Sequence, residues 1–260
     1  MKVQANGISF NVQVEGPEGA AVVIFSNSLM TSLAMWDEQA AALKKFFRVV
    51  RYDQRGHGGT DAPKPPYSFT QLIDDVVAVL DALEIRRAHF VGISMGGATG
   101  IGLAQRYASR LGKLVACDCP AASTPAGAQQ WAERIQLAKE KGMEALIEAT
   151  IPRWFPPEFV STKNPVLDKV RGMIRATPKD GFIGGANALS DFDFKPGLGA
   201  IKTPTLMIGG TKDAAMAGVK FLHSGIPGAK LVELEGAGHL SNLEKPAEFN
   251  NAVKDFLLSA

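Results

Sequence analysis

Apolar and polar positions alternate from Ile8 to Val14, the period of a strand with one face exposed. Four later runs, Val22 to Phe25, Phe47 to Tyr52, Ala88 to Ile93 and Leu114 to Cys117, are compact and apolar, as strands buried on both faces are. Helical periodicity fills the gaps. From Thr70 to Leu83 the apolar positions are 72, 73, 76, 77, 79, 80 and 83, with Ser68 and Thr70 as candidate caps. A second helix is expected over Met95 to Tyr107. Strands alternating with helices predict a parallel sheet covered on both sides.

The rhythm breaks after residue 119. Helical stretches at Gln129 to Lys141, Met143 to Ala149 and Pro165 to Arg175 are interrupted by Pro152, Pro156-Pro157 and Pro178, with no convincing buried strand between them. Strand pattern returns at Thr205 to Ile208 and Lys230 to Leu234, and a helix from Pro246 to Leu258 closes the chain. The organisation expected is one α/β core, residues 1–119 and 196–260, with a helical cap inserted at 120–195. One stretch resists the pattern. FSNSLMTSLAMWDEQ, from Phe25 to Gln39, leaves a buried strand through Ser-Asn-Ser and then sets Leu29-Met30 in a loop with no obvious cover.

Composition narrows the function classes. The 260 residues are 46% hydrophobic and 21% charged, which is ordinary for a globular protein with a real core. A net charge of +2 provides no electrostatic footprint for nucleic acid or a membrane surface. The N-terminal MKVQANGISF lacks the apolar core of a signal peptide, and no run approaches a membrane span. Cys117 and Cys119 are too close for an easy disulfide and form no C-x-x-C motif, so a reducing cytoplasm is the natural expectation. His57, His89, His223 and His239 show no metal-ligand spacing, and no metal is expected.

The chemistry concentrates at GISMGGATG, which follows the strand ending at Ile93 and opens a helix. This is G-x-S-x-G in the strand–turn–helix setting that lifts a nucleophilic serine, here Ser94, above a sheet at the positive end of a helix. Gly92 and Gly96 are expected to be glycine because side chains there would strike strand or helix. A serine hydroxyl needs a base, and the base an orienting acid, in the order Ser, Asp or Glu, His. Asp213 in PTLMIGGTKD and His239 in LEGAGHLSN keep that order, each just past a strand. Asp118, ending the preceding strand, is the alternative acid. His57, in RYDQRGHGGTD, reads as part of a buried polar turn with Asp53 and Arg55. Two backbone N–H groups must also face the developing oxyanion. One belongs to Met95; the other is expected from the loop after the first central strand, the stretch at 25–39.

On these residues the chain resembles an α/β-hydrolase over its whole length, and more narrowly the bacterial 3-oxoadipate enol-lactonases. The segments SNSL, MWDEQ, RYDQRGHGGTDAP, YSFTQLIDDVVAVLDAL, RRAHFVGISMGG, PRWFPPEF and GHLSNLEKPAEF carry the likeness. The turn and elbow motifs are shared widely, whereas SNSL in place of the common His-Gly, PRWFPP and HLSN are more specific. The resemblance implies a mostly parallel eight-stranded sheet flanked by helices with a helical cap, and a cofactor-free opening of a carboxylated enol-lactone to 3-oxoadipate. It implies Ser94 as nucleophile, His239 as base, Asp213 as its orienter, and Leu29 and Met95 N–H as the oxyanion donors. The substrate would be a small lactone or ester, acted on by a monomer or small homo-oligomer.

A substrate carboxylate calls for a cation. In QQWAERIQ, Trp131 and Arg134 stand three apart on one helix face, and Arg134 suits carboxylate binding. Arg153 and Trp154 are further candidates. Met30 stands where such enol-lactonases usually have Gly, so it is expected at the pocket mouth, and ACDCPAAS replaces a more usual Asn-Thr-Ala. The alternative reading is a general carboxylesterase or lactonase on small neutral esters, with a perhydrolase side activity.

Overall fold

Eight strands of the described residues, 1–259, form one sheet in this computed structural model. They are β1 (Lys2–Ala5), β2 (Ile8–Glu15), β3 (Val22–Ser26), β4 (Arg48–Tyr52), β5 (Ala88–Ile93), β6 (Leu111–Cys117), β7 (Thr205–Gly210) and β8 (Lys230–Leu234). Their order is β1-β2-β4-β3-β5-β6-β7-β8, antiparallel at β1–β2 and β2–β4 and parallel from β4 onward. The apolar runs read as doubly buried strands are the centre of this sheet, with β7 buried along its whole length. The short edge strand β1 was not expected from the pattern. It buries Val3 alone, and a turn with positive φ at Asn6 (43°) and Gly7 (77°) folds it back on β2.

The helices are α1 (Asp37–Leu43), α2 (Phe69–Ala82), α3 (Met95–Arg106), α4 (Pro125–Lys141), α5 (Glu144–Trp154), α6 (Pro157–Ser161), α7 (Pro165–Ala176), α8 (Lys179–Ser190), α9 (Met216–Gly225), α10 (Ser241–Glu244) and α11 (Pro246–Leu258). Ser68 and Gln71 close a capping box on α2. After β3 the chain passes to β4 on one side, then crosses to β5 on the other. The crevice between β3 and β5 is therefore a switch point, where parallel sheets place ligands at the carboxyl ends of their strands.

Helices α4 to α8 lie between β6 and β7. Helix α4 starts earlier than its apolar pattern, because Thr124 Oγ1 accepts the Gly127 N–H (3.0 Å) and Pro125 takes the first helical position. Helix α5 runs through Pro152 where an interruption was expected; so near the C-terminus, the missing N–H forfeits one carbonyl partner only. Helix α8 was not anticipated, since GFIGGANALS is weak in helix propensity. Its glycines answer to contacts across the fold. A Cβ at Gly181 would lie 1.8 Å from the Gly56 carbonyl oxygen, and one at Gly185 would lie 2.4 Å from Leu29 Cδ1 and 3.2 Å from Met95 Sδ. The segment leaves and rejoins the sheet side by side: Ser123 N–H donates to Phe192 O and Phe194 N–H to Ala121 O, both at 2.9 Å.

Candidate active site

Ser94 joins β5 to α3 in a conformation that side chains rarely adopt, φ 56° and ψ −117°. Such a backbone costs about 1–3 kcal/mol and persists only where its surroundings impose it. Here Ser94 N–H donates to Cys117 O at 2.8 Å. A Cβ on Gly92 would come within 2.3 Å of Gly96 O, and one on Gly96 within 2.2 Å of Ser26 O. Both glycines are thus required by the closeness of β3, β5 and α3.

His239 follows β8 and Asp213 follows β7. The His239 Nδ1–H donates to Asp213 Oδ2 at 2.9 Å, leaving Nε2 as the free basic atom. Burial opposes the imidazolium, yet the Asp213 charge and its hydrogen bond, with Asp118 behind, outweigh it and raise the His239 pKa. Burial likewise opposes the Asp213 carboxylate, but the His239 charge and hydrogen bond hold its pKa below the usual value. Ser94, Asp213 and His239 open together on a cavity of about 480 Å³ roofed by the α4–α8 segment.

Asp118, the alternative acid, sits beneath this pair. Its Oδ1 accepts the Gly210 N–H (2.8 Å) and its Oδ2 the Ser241 hydroxyl (2.5 Å). Burial and the nearby Asp213 push its pKa well up. The carboxylate bonded to the imidazole is that of Asp213. The His239 loop is held on every side: His239 N–H donates to Trp154 O (2.7 Å), Gly238 N–H to Glu244 Oε1 (2.8 Å) and Asn242 Nδ2 to Met35 O (3.0 Å). The Trp154 ring also stacks on the imidazole, with centroids 5.9 Å apart and planes 27° apart. Trp154, expected as a substrate contact, lines the cavity and forms a wall of the base as well.

Leu29 lines the cavity beside Ser94, and Met95 opens α3. Among the described residues neither backbone N–H donates to a protein acceptor, so both remain available to an oxyanion. Met30 corrects the expectation placed on it. It is fully buried in the core cluster and is not a lining residue, because its left-handed backbone (φ 62°) turns it from the pocket. Ser26-Asn27-Ser28 does the turning: Asn27 Nδ2 donates to Ser28 O and Thr31 O, both at 2.9 Å.

Trp131, Arg134 and Arg153 all reach the cavity wall. Arg134 Nη2 donates to Thr150 Oγ1 (2.7 Å), its guanidinium lies 4.9 Å from the Trp131 ring centroid, and its Nε is buried without a partner. Burial, then the charge of Arg153, pushes its pKa down to about 10. Among the described residues the Arg153 side chain bonds only the neutral Gln130 (3.2 Å). Two features had no signal in the sequence: Thr150 meets Arg134 from the next helix, and Glu244 folds back on the His239 loop. The polar turn at His57 forms, though Arg55 pairs with Asp75 rather than Asp53 (2.7 Å). Asp53 instead accepts the Leu33 and Gly59 amides.

A family model described as alpha/beta hydrolase fold matches residues 21–246. The chain belongs to the α/β-hydrolase fold family. Among curated members it is 36% identical over 252 residues to 3-oxoadipate enol-lactonase 2 of Acinetobacter baylyi, covering 96% of this chain and 93% of that protein. It is 35% identical to 3-oxoadipate enol-lactonase 1 of the same organism, covering 100% and 97%. The crystal structure of the enol-lactonase from Burkholderia xenovorans LB400 matches this α/β-hydrolase with a TM-score of 0.96 at 40% identity, covering 100% of both chains. Among the described residues no helix is long and apolar enough to cross a membrane.

Proposed function

We propose that the chain is a serine-dependent ester hydrolase that opens 3-oxoadipate enol-lactone, a small carboxylated ring, to 3-oxoadipate. The observation that carries the reading is Arg134, a largely buried guanidinium on the cavity wall that makes no ion pair among the described residues. A buried cation without a counter-charge is unfavourable until an anion arrives, and a substrate carboxylate supplies one. The likeness to the named enol-lactonases supports the same substrate. The two buried free cysteines fit a reducing cytoplasm.

The geometry supports the following steps. Ser94 passes its hydroxyl proton to His239 Nε2 as its oxygen attacks the lactone carbonyl carbon, and Asp213 stabilises the imidazolium. The carbonyl oxygen becomes an oxyanion between the Leu29 and Met95 amides. Collapse breaks the ring C–O bond and expels an enolate, which takes the proton held by His239 Nε2 and becomes a ketone, leaving the imidazole neutral. Water then gives a proton to His239 and attacks the acyl carbon, and Ser94 leaves with that proton restored.

A second reading, hydrolysis of small neutral esters, is favoured by the apolar part of the wall, Leu29, Pro120, Leu189 and Phe192. Steady-state turnover of the enol-lactone and of phenyl acetate by wild type and Ser94→Ala separates the two. Enol-lactone turnover no faster than that of phenyl acetate overturns the lactonase reading. An active Ser94→Ala overturns the hydrolase mechanism.

A further inference from the structure

His57 is buried, polar and close to the site, and takes no part in the steps above. Its Nε2 lies 3.0 Å from the Met30 backbone nitrogen and its Nδ1 lies 3.0 Å from the Arg55 carbonyl oxygen. An amide can only donate and a carbonyl can only accept. One form satisfies both: a neutral ring with its proton on Nδ1, accepting the Met30 N–H at Nε2. Burial, which pushes the pKa down, keeps the ring neutral.

The amide so held is the centre of a tight turn. Thr31 N–H donates to Ser28 O (3.2 Å), and Met30 is the third of those four residues with φ 62°. That bond with positive φ at the third position is the pattern of a type II turn, which normally places Gly or Asn there. Met30 therefore has reason to relax to negative φ, and relaxing means flipping the Leu29–Met30 peptide. Asn27 holds the ends of the turn through Ser28 O and Thr31 O. Among the described residues, His57 holds its central peptide.

We propose that His57 is a positioning residue of the oxyanion hole: by accepting the Met30 N–H it locks the turn that keeps the Leu29 amide on the cavity beside Ser94. The inference rests on Leu29 as an oxyanion donor and not on the identity of the lactone. A neutral ester, p-nitrophenyl acetate, is therefore the assay.

The test pairs two substitutions. His57→Gln can place its carbonyl oxygen where Nε2 stands and keep the acceptor. His57→Asn can keep the donor to Arg55 O but falls short of Met30. Oxyanion donors act in the transition state, and losing one costs about 10²–10³ in rate. A loosened donor should cost His57→Asn about 10- to 100-fold in kcat with KM within about twofold, and weaken phenylboronic acid binding in parallel. His57→Gln should stay within about fivefold of wild type. Wild-type kcat in folded His57→Asn, equal losses in both variants, or a loss confined to KM overturns the proposal. If His57→Asn does not fold, hydrogen exchange of the Met30 amide in wild type decides: strong protection supports the clamp, and the rate of a free loop amide overturns it. Ser94→Ala runs alongside; its activity would sink the hydrolase mechanism itself, whereas an inactive Ser94→Ala leaves a failed His57 result as a failure of positioning alone.

Discussion

Replacing Arg134 with Met separates recognition of an acidic substrate from the chemistry at Ser94. Methionine keeps an apolar stem against Trp131 and removes the charge. Hydrogen bonds between charged groups contribute about 1.5–3 kcal/mol. At 1.4 kcal/mol per tenfold, the variant should lose roughly 10- to 150-fold in kcat/KM on the enol-lactone. Phenyl acetate, which carries no carboxylate, should change by less than about threefold. Folding stability should hardly move. The depression of the Arg134 pKa to about 10, at 1.36 kcal/mol per unit, places about 3 kcal/mol on the buried cation, and its partial exposure reduces that to about 1–2. Methionine removes this penalty together with the Trp131 stack and the Thr150 bond, worth about 0.5–1 and 0.5–1.5 kcal/mol. The two sides nearly cancel, so the variant should melt within a few degrees of wild type. Equal losses on both substrates refute the reasoning. A selective loss in Arg153→Met with none in Arg134→Met moves the carboxylate to Arg153 and refutes the assignment.

Three further outcomes test the site. His239 must be neutral to act as base and its pKa is raised, so kcat/KM should fall with decreasing pH through a pKa above the ordinary histidine value of 6.5; a limb below 6.5 contradicts the Asp213 pairing. Glu244 has its pKa pushed up to about 8, first by burial and then, against the Gly238 bond, by Asp213, so the folded state keeps a proton that the unfolded chain releases near 4.5. Stability should therefore fall as pH rises from about 4.5 to 8. Glu244→Gln, which retains an acceptor for the Gly238 N–H, should melt several degrees above wild type at pH 9 and alongside it at pH 4; equal melting at pH 9 refutes this. Gly185→Ala would put a methyl group 2.4 Å from Leu29 Cδ1, so the Leu29 side chain, its turn or α8 must shift; a lower kcat in a variant that keeps wild-type thermal stability locates the shift in the turn, and an unchanged kcat refutes the coupling of α8 to the turn.

What the sequence made legible has a common physical character. The central strands and the elbow turn at Ser94 are written in periods and spacings of a few residues, where the local backbone already decides which way a side chain faces. Helix α8 was illegible for the opposite reason. The glycines of GFIGGANALS argue against a helix locally and make sense only once Gly56 and Leu29 are found against them. Met30 is the sharper case. Its place on a loop predicted a pocket side chain, yet which way a turn residue faces depends on the sign of its φ. That sign goes with a hydrogen bond to His57, 27 residues away. Leu29 and Met30 are adjacent and chemically alike, but Leu29 lines the cavity while Met30 joins the core. A residue whose backbone is held by a distant partner cannot be oriented from its neighbours, so the Leu29–Met30 loop at the cavity is the part that sequence pattern alone describes least.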